Sequence, residues 1–261
     1  MKKLISTLLV VCMAASCLVG CGNKEKTFTV GFDAEFPPYG YMDDNGEYVG
    51  FDLSLAEEVC KRNGWELVKQ PIDWDSKDME LSSGTIDCIW NGFTIEGREE
   101  QYTWSVPYVD NSQVFVVTSD SGIASQADLA GKNVAVQKES SALAALESED
   151  NTALLDSFND LIQYADYNTA FMDLETGAID AVAMDIGVAN YQIAEREEGA
   201  YTILADYLSS EQYGVGFLLG NEELRDQVQN TLFEMEKDGT FEQIAKEWKL
   251  EDVICLSNYV K

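Results

Sequence analysis

Histidine is absent from this sequence. Without an imidazole, Ser-His and Cys-His nucleophile arrangements are excluded, and so are most zinc sites, because the few scattered cysteines lack metal-ligand spacing. Positive charge is scarce as well: 17 Lys and Arg stand against 47 Asp and Glu, a formal net charge of −30. Nucleic acid and anionic lipid recruit basic surfaces, so neither is expected as an electrostatic partner. Prolines number only four while 46% of residues are hydrophobic, a composition that folds instead of remaining disordered. Of six cysteines, Cys12, Cys17 and Cys21 fall at the start of the chain, leaving Cys60, Cys88 and Cys255 for a folded domain. Three is odd, so at least one is free or pairs between chains, and an exported location permits any of the pairings. No cofactor or metal is expected.

What is present begins with a leader. In MKKLISTLLVVCMAASCLVGC, Lys2 and Lys3 precede an apolar run that ends in small residues, the layout of a bacterial secretory signal and not of a lasting membrane span. Leu18-Val19-Gly20-Cys21 resembles the lipobox of bacterial lipoproteins, in which cleavage needs the small Gly20 and acylation needs the Cys21 thiol. Residues 1–20 therefore read as the signal, and 21–26 as a lipidated tether that holds the protein at the extracytoplasmic face of the bacterial cell membrane. About 235 residues follow, enough for one large domain or two lobes of ordinary size.

Along those residues strands alternate with helices. TFTVGFD alternates as a strand over 27–32 and gives way to an irregular loop, DAEFPPYGY. FDLSLAEEVCKRNG puts Phe51, Leu55 and Val59 on one helical face and ends with Gly64, after which WELVKQPI reads as a strand. This order predicts βαβ organisation and a mostly parallel sheet. One pattern occurs twice, in ELSSGTIDCIWNGFT at 80–94 and DLETGAIDAVAMDIGV at 173–188. In each, a helix ends on glycine, Ile-Asp opens an apolar run, and polar residues wait at its far end: Asn91 and Thr94 in the first copy, Asp185 in the second. Open α/β sheets bind ligands beyond the carboxyl ends of their strands, so two facing sheets would make a cleft with one wall from each copy. Between the copies a strand is expected at 133–137 and a helix opening at Ser140 or Ser141. Later, YGVGFLL reads as a strand over 213–219, and the C-terminal segment as two helices separated by Gly239. The chain has no long linker, so ordinary strands must join the lobes.

The chemistry centres on one of only four arginines. If Thr94 opens a helix, Arg98 lies one turn further and both project from the same face. A helix N-terminus, a hydroxyl and a guanidinium fork form a site for a planar carboxylate; lysine matches the charge but not the paired donors. Asp185 supplies the opposite charge on the opposite wall. A zwitterion with its carboxylate near Arg98 and its ammonium near Asp185 would bridge both lobes, with Phe36 and Trp74 covering its flat or aliphatic part. The alternatives are a surface ion pair of Arg98 with Glu99 or Glu100, and a place in the core for either aromatic.

These residues lie in a set of motifs: VGFDAEFPPYGY with GEYVGFDLSLAEEV, GTIDCIWNGFTIEGRE with WSVPY, GKNVAVQKESS, GAIDAVAMD and EMEKDGTFEQIAKEW. In this order and spacing, over essentially the whole chain after the leader, the sequence resembles the extracytoplasmic solute-binding proteins (family 3) of polar amino-acid ABC transporters. It is similar to the lysine/arginine/ornithine-binding and glutamine-binding proteins. The resemblance implies an α/β, two-lobed type II periplasmic-binding-protein fold joined by two hinge strands near 111–117 and 209–215. Lobe 1 would comprise 27–112 and 213–261, and lobe 2 would comprise 113–212. It further implies a monomer that binds a free L-amino acid and delivers it to permease subunits. Arg98 and Thr94 would hold the ligand carboxylate, and Asp185 its α-ammonium. Backbone groups of Asn91 and Gly92 would add hydrogen bonds, Phe36 and Trp74 would pack on the side chain, and Asp33 would lie deeper, near its far end. Gln137, Ser140 and Ser141 belong to the second lobe's share of the site, the helix opening at the serines matching its carboxylate-binding N-terminus. Two departures stand out. Glu139 occupies a position that is usually glycine, so either its side chain points to solvent or the backbone contact there is weaker. The short-range disulfide that begins at the position of Cys60 in the lysine/arginine/ornithine-binding relatives has no partner, because Leu67 stands seven residues on.

A receptor that closes on a polar L-amino acid is therefore expected, against two other classes. One is a carboxylate-dependent dehydratase on the same scaffold, with Asp33, Glu35 or Asp185 nominally available as base; the other is a sensory or adhesive lipoprotein. Asp33 and Glu35 suit a cationic side chain, and an aspartate at the Asp33 position in glutamine-binding relatives keeps an amide open. A strongly acidic side chain would be repelled in a closed cleft.

Overall fold

A computed structural model describes residues 26–260. The expected signal, Cys21 and the tether up to residue 25 lie outside the described residues. The chain opens with β1 (Lys26–Phe32), whose Phe28, Val30 and Phe32 alternate into the core. A small three-stranded sheet follows, β2 (Glu35–Phe36), β3 (Gly40–Met42) and β4 (Tyr48–Val49). Helix α1 (Phe51–Asn63) buries Phe51, Leu55 and Val59 and ends at Gly64, then β5 (Trp65–Pro71), α2 (Lys77–Ser83), β6 (Cys88–Ile89) and β7 (Tyr102–Trp104) complete the first passage.

β8 (Val109–Thr118) carries the chain into the second lobe. There it forms β9 (Asn133–Gln137), α3 (Ser141–Leu146), α4 (Thr152–Leu155), β10 (Asp160–Tyr164), α5 (Tyr167–Thr176), β11 (Ala181–Asp185), α6 (Ile186–Ala194) and β12 (Tyr201–Ile203). β13 (Ser209–Tyr213) returns it to β14 (Gly216–Leu218), α7 (Glu222–Asp238) and α8 (Thr240–Glu247).

The first sheet runs β5-β1-β6-β14-β7 and the second β10-β9-β11-β8-β12, with β13 also on β8. In each, a parallel trio made by βαβ crossovers sits at one side, β5-β1-β6 and β10-β9-β11. Antiparallel strands complete the sheets, β14 and β7 in the first and β8, β12 and β13 in the second. β8 pairs with β13 from Val109↔Tyr213 to Gln113↔Ser209 and then with β11 and β12 over 113–118. Two neighbouring antiparallel strands thus join the lobes.

Two local expectations fail. No helix opens at Thr94, which forms an isolated β-bridge; turns follow between residues 96 and 101, with Arg98 N–H donating to Ile95 O at 2.9 Å. The cause is tertiary, because Thr94 bridges to Tyr213 and Ile95 N–H donates to Gln212 O at 3.0 Å, holding the segment extended. The strand expected over 213–219 is broken after Tyr213, where Gly214 N–H turns to Phe93 O at 2.9 Å. Cys60, Cys88 and Cys255 are all buried thiols, so no pairing among them forms. No helix among the described residues is long and apolar enough to cross a membrane.

Candidate ligand-binding site

Strand ends from both sheets converge on the cleft. Phe36, Trp74, Asn91, Gly92, Thr94 and Arg98 from the first lobe, and Gln137, Ser140, Ser141 and Asp185 from the second, line a single cavity together with Phe93. They close around about 10 Å³ of free space, roughly what one water molecule needs, so a larger ligand enters only if the lobes part. Asp33 does not line this cavity. It lies just beyond, where its carboxylate accepts from Gln137 Nε2 at 2.7 Å and from Glu35 N–H at 2.8 Å.

The guanidinium of Arg98 is half-buried. Nη1 donates to Thr94 O at 3.3 Å, Nη2 reaches across the cleft to Glu139 O at 3.1 Å, and the group lies 5.3 Å from the Phe93 ring. Ser140 caps α3 by accepting from Leu143 N–H at 3.1 Å, which leaves the backbone donors of Ser141 and Ala142 at the helix start. The side chain of Glu139 is exposed, 3.9 Å from Lys77 Nζ, and its backbone is left-handed at φ 54°. It therefore points outward, and its carbonyl, not its carboxylate, meets the arginine.

On the opposite wall Asp185 is 2% exposed. Its Oδ1 accepts from Gln113 Nε2 at 2.7 Å, Asn111 Nδ2 at 2.8 Å and Tyr213 OH at 2.5 Å. Burial, then the neighbouring charge of Glu211, pushes its carboxyl up to about 7. Burial likewise pushes Asp33 up to about 6, against the opposing backbone hydrogen bond from Glu35. Past Asp33 lies a second cavity of about 580 Å³, lined by Asp33, Glu35, Asp73, Asp75, Glu80 and Asp166 against Lys138 alone. The cleft thus offers a donor fork at one end, an acidic acceptor at the other, aromatic faces between, and a negative vestibule at its edge.

Residues 28–251 match the bacterial extracellular solute-binding proteins, family 3. The chain belongs to this family. Among curated relatives of this solute-binding protein, the L-cystine-binding protein TcyJ of Escherichia coli (strain K12) is 30% identical over 240 residues, 90% of this chain and 88% of its own. An ABC uptake transporter substrate-binding protein from Streptococcus pneumoniae, solved with bound histidine, superposes with TM-score 0.83 at 35% identity, over 87% of this chain and 94% of that one. An ancestral arginine-binding protein bound to glutamine does so with TM-score 0.78 at 35% identity, covering 86% and 98%. The two-lobed type II architecture of this family is the fold of the chain.

Two buried acids beside this cleft went unrecognised in the sequence. Glu211 on β13 is 6% exposed and its Oε1 accepts from Thr94 Oγ1, Asn111 Nδ2, Gln113 Nε2 and Ser141 Oγ. Asp52, fully buried on α1, holds the Gly92 N–H at 2.6 Å and Tyr108 OH at 2.8 Å, and burial pushes its carboxyl up to about 7. The signal for Asp52 was legible: it stands beside the apolar face of α1, where an unsatisfied charge would be expelled. Glu211 had a weaker one, an acid in a short strand among uncharged neighbours.

Proposed function

We propose that this family 3 protein is a receptor for a free polar L-amino acid, lipid-anchored through Cys21 on the extracytoplasmic face and delivering its ligand to ABC-transporter permease subunits. Lobe 1 is taken as 27–112 with 213–261, and lobe 2 as 113–212. The supporting observation is that Arg98 and Asp185, opposite in charge and drawn from opposite lobes, line the same cavity. Arg98, with Thr94 and the start of α3, takes the carboxylate; Asp185 takes the α-ammonium; Phe36 and Trp74 cover the side chain. Closure buries each ligand charge beside a fixed partner, and that differential contact favours the shut state.

The side chain is cationic or an amide. It points toward Asp33 and the acidic vestibule, whose field attracts a cation and repels an acid. Binding proteins for cystine and complexes with histidine and glutamine among the relatives agree with a polar amino acid. With no histidine and Asp185 committed to an ammonium, the protein binds without turnover, which separates it from a dehydratase.

A thermal-shift screen of the unlipidated domain against the twenty amino acids and L-cystine tests this reading. At least one polar amino acid should raise Tm by several degrees, and calorimetry should give one stoichiometric event without continued heat. Arg98→Ala should abolish the shift with the circular dichroism spectrum intact, and Arg98→Lys should not restore it, for want of paired donors. An undiminished shift in Arg98→Ala defeats the site assignment.

A further inference from the structure

We infer that Glu211 is a second counter-ion for the ligand ammonium: Asp185 and Glu211 share one proton until an ammonium binds between them, and binding expels that proton to solvent. The inference rests on the amino-acid reading of the site and deepens it.

The geometry comes from strand register. Asp185 lies opposite Gln113 in the β11–β8 ladder, and Glu211 opposite Asn111 in the β13–β8 ladder. Residues 111 and 113 are two apart, so the four side chains leave the same face of one sheet, toward the cleft. This arrangement belongs to the hinge and second lobe alone and does not depend on closure.

The two carboxylates also share donors. Asn111 Nδ2 reaches Asp185 Oδ1 at 2.8 Å and Glu211 Oε1 at 2.7 Å, while Gln113 Nε2 reaches the same two oxygens at 2.7 Å each. Two oxygens bridged by the same nitrogens can be no farther apart than two hydrogen bonds end to end, about 5.5 Å. Out of water at that separation, two like charges do not both persist without a cation.

The surroundings supply no such cation. Neither carboxylate has an ion pair among the described residues. The phenols facing the pair, Tyr39, Tyr167 and Tyr213, are pushed up by burial and keep their protons through neutral pH. Glu96, on the loop after Thr94, adds further negative charge toward Glu211. Of the cations on the facing wall, Arg98 is engaged with the carbonyls of Thr94 and Glu139, and Lys77 faces Glu139.

Acceptors are also in excess. The amide oxygens of Asn111 and Gln113 are buried without a donor. A primary ammonium brings one positive charge and three donors, which matches this shortage in both charge and hydrogen bonds. Thr94 Oγ1 and Ser141 Oγ, one from each wall, both donate to Glu211. Glu211 therefore also sets how these two hydroxyls are turned when a ligand arrives.

Burial, then the neighbouring charge of Glu211, holds the Asp185 carboxyl near 7, and a bound ammonium favours the doubly charged pair. Binding thus releases a proton below that value, and affinity falls as pH falls. With the Asp185 carboxyl near 7 in the ligand-free protein, Kd should rise about tenfold between pH 8 and pH 6.

The test is titration calorimetry on the wild-type domain, Glu211→Gln and Glu211→Asp, at pH 8 and pH 6. It uses buffers of different ionisation enthalpy, with L-arginine, L-glutamine and L-cystine as probes. Wild type should release up to one proton per ligand and weaken about tenfold at pH 6. Glu211→Gln should bind more weakly at pH 8 and lose most of the pH slope, whereas Glu211→Asp should keep the slope. Asp33 titrates in the same range, but it is common to all three proteins, so the difference in slope isolates the pair. Equal slopes in wild type and Glu211→Gln, or wild-type binding without proton release, overturn the inference and leave the receptor reading standing. The second result needs no variant to fold. Absence of binding of each of the twenty amino acids and L-cystine to wild type overturns both.

Discussion

At Gly92 three constraints meet in one residue. Its φ of +56° is left-handed, its N–H is held by the buried carboxylate of Asp52, and a Cβ would stand 2.9 Å from Phe36 and 3.1 Å from Tyr213. Gly92→Ala is expected to cost roughly 1–2 kcal/mol in backbone strain. The larger effect falls on function: the methyl must displace the Phe36 ring toward the cavity or the Tyr213 ring from its bond to Asp185. Ligand affinity measured by calorimetry should fall at least about tenfold, which corresponds to about 1.4 kcal/mol of binding, while the circular dichroism spectrum stays native. Unchanged affinity would show that the rings relax without touching the site.

At the scale of the element, the start of α1 illustrates how a loop can substitute for a side-chain cap. No side chain caps its N-terminus. Instead, Phe51 N–H donates to Pro38 O at 2.8 Å and Asp52 N–H to Tyr39 O at 3.0 Å, so two of the orphan donors at the helix start are met by the loop after β2. Gly50 lets the loop lie this close. Its φ is +144°, and a Cβ would fall 2.2 Å from the backbone oxygen of Tyr39. Because the obstacle is backbone, it cannot rotate away. Gly50→Ala should therefore destabilise the domain by roughly 3 kcal/mol, combining strain with two weakened hydrogen bonds, a loss that urea denaturation would report as a lower midpoint. The same loop carries Tyr39, whose ring packs against Tyr213 with centroids 5.2 Å apart, so the damage should extend to the ligand site.

For the whole molecule, the balance of shifted carboxyls sets how stability varies with pH. Asp33, Asp52 and Asp185 are raised, mainly by burial, to about 6, 7 and 7. Each binds a proton in the folded state at pH values where the unfolded chain has lost it. Between about pH 4 and pH 7 the native state therefore holds more protons than the unfolded one, and stability falls as pH rises through that window. Glu58, Asp43, Asp128 and Asp238 are held below their ordinary values, chiefly by hydrogen bonds. Their contribution is present above about pH 4 and is lost below it. The Tm of the ligand-free domain should thus peak between about pH 4 and pH 5 and drop by several degrees by pH 7.5, which differential scanning calorimetry can follow. Self-repulsion of a strongly acidic chain acts in the same direction. A Tm that climbs steadily from pH 5 to pH 7.5 would contradict the buried-carboxyl account.

Much of this was legible in residue order because it is decided by neighbours a few positions apart. Gly64, Gly177 and Gly239 end their helices, Ser140 caps α3, and the alternation of Phe28, Val30 and Phe32 makes β1 a half-buried strand. The duplicated Gly-x-Ile-Asp pattern pointed to two walls, and ten of the expected cleft residues do line one cavity. What residue order could not decide depended on segments far apart in the chain. The helix expected from Thr94 gives way to turns because Thr94 and Ile95 pair with the end of β13, more than a hundred residues away. Asp33 sits outside the cavity because Gln137, from the other lobe, takes its carboxylate. Glu211 looks unremarkable in SSEQYG and gains its chemistry only when β8 places Asn111 and Gln113 between it and Asp185. Caps and periodicity are local energies written in the sequence, whereas the meeting of two carboxylates is a matter of strand register, fixed only when distant segments fold together.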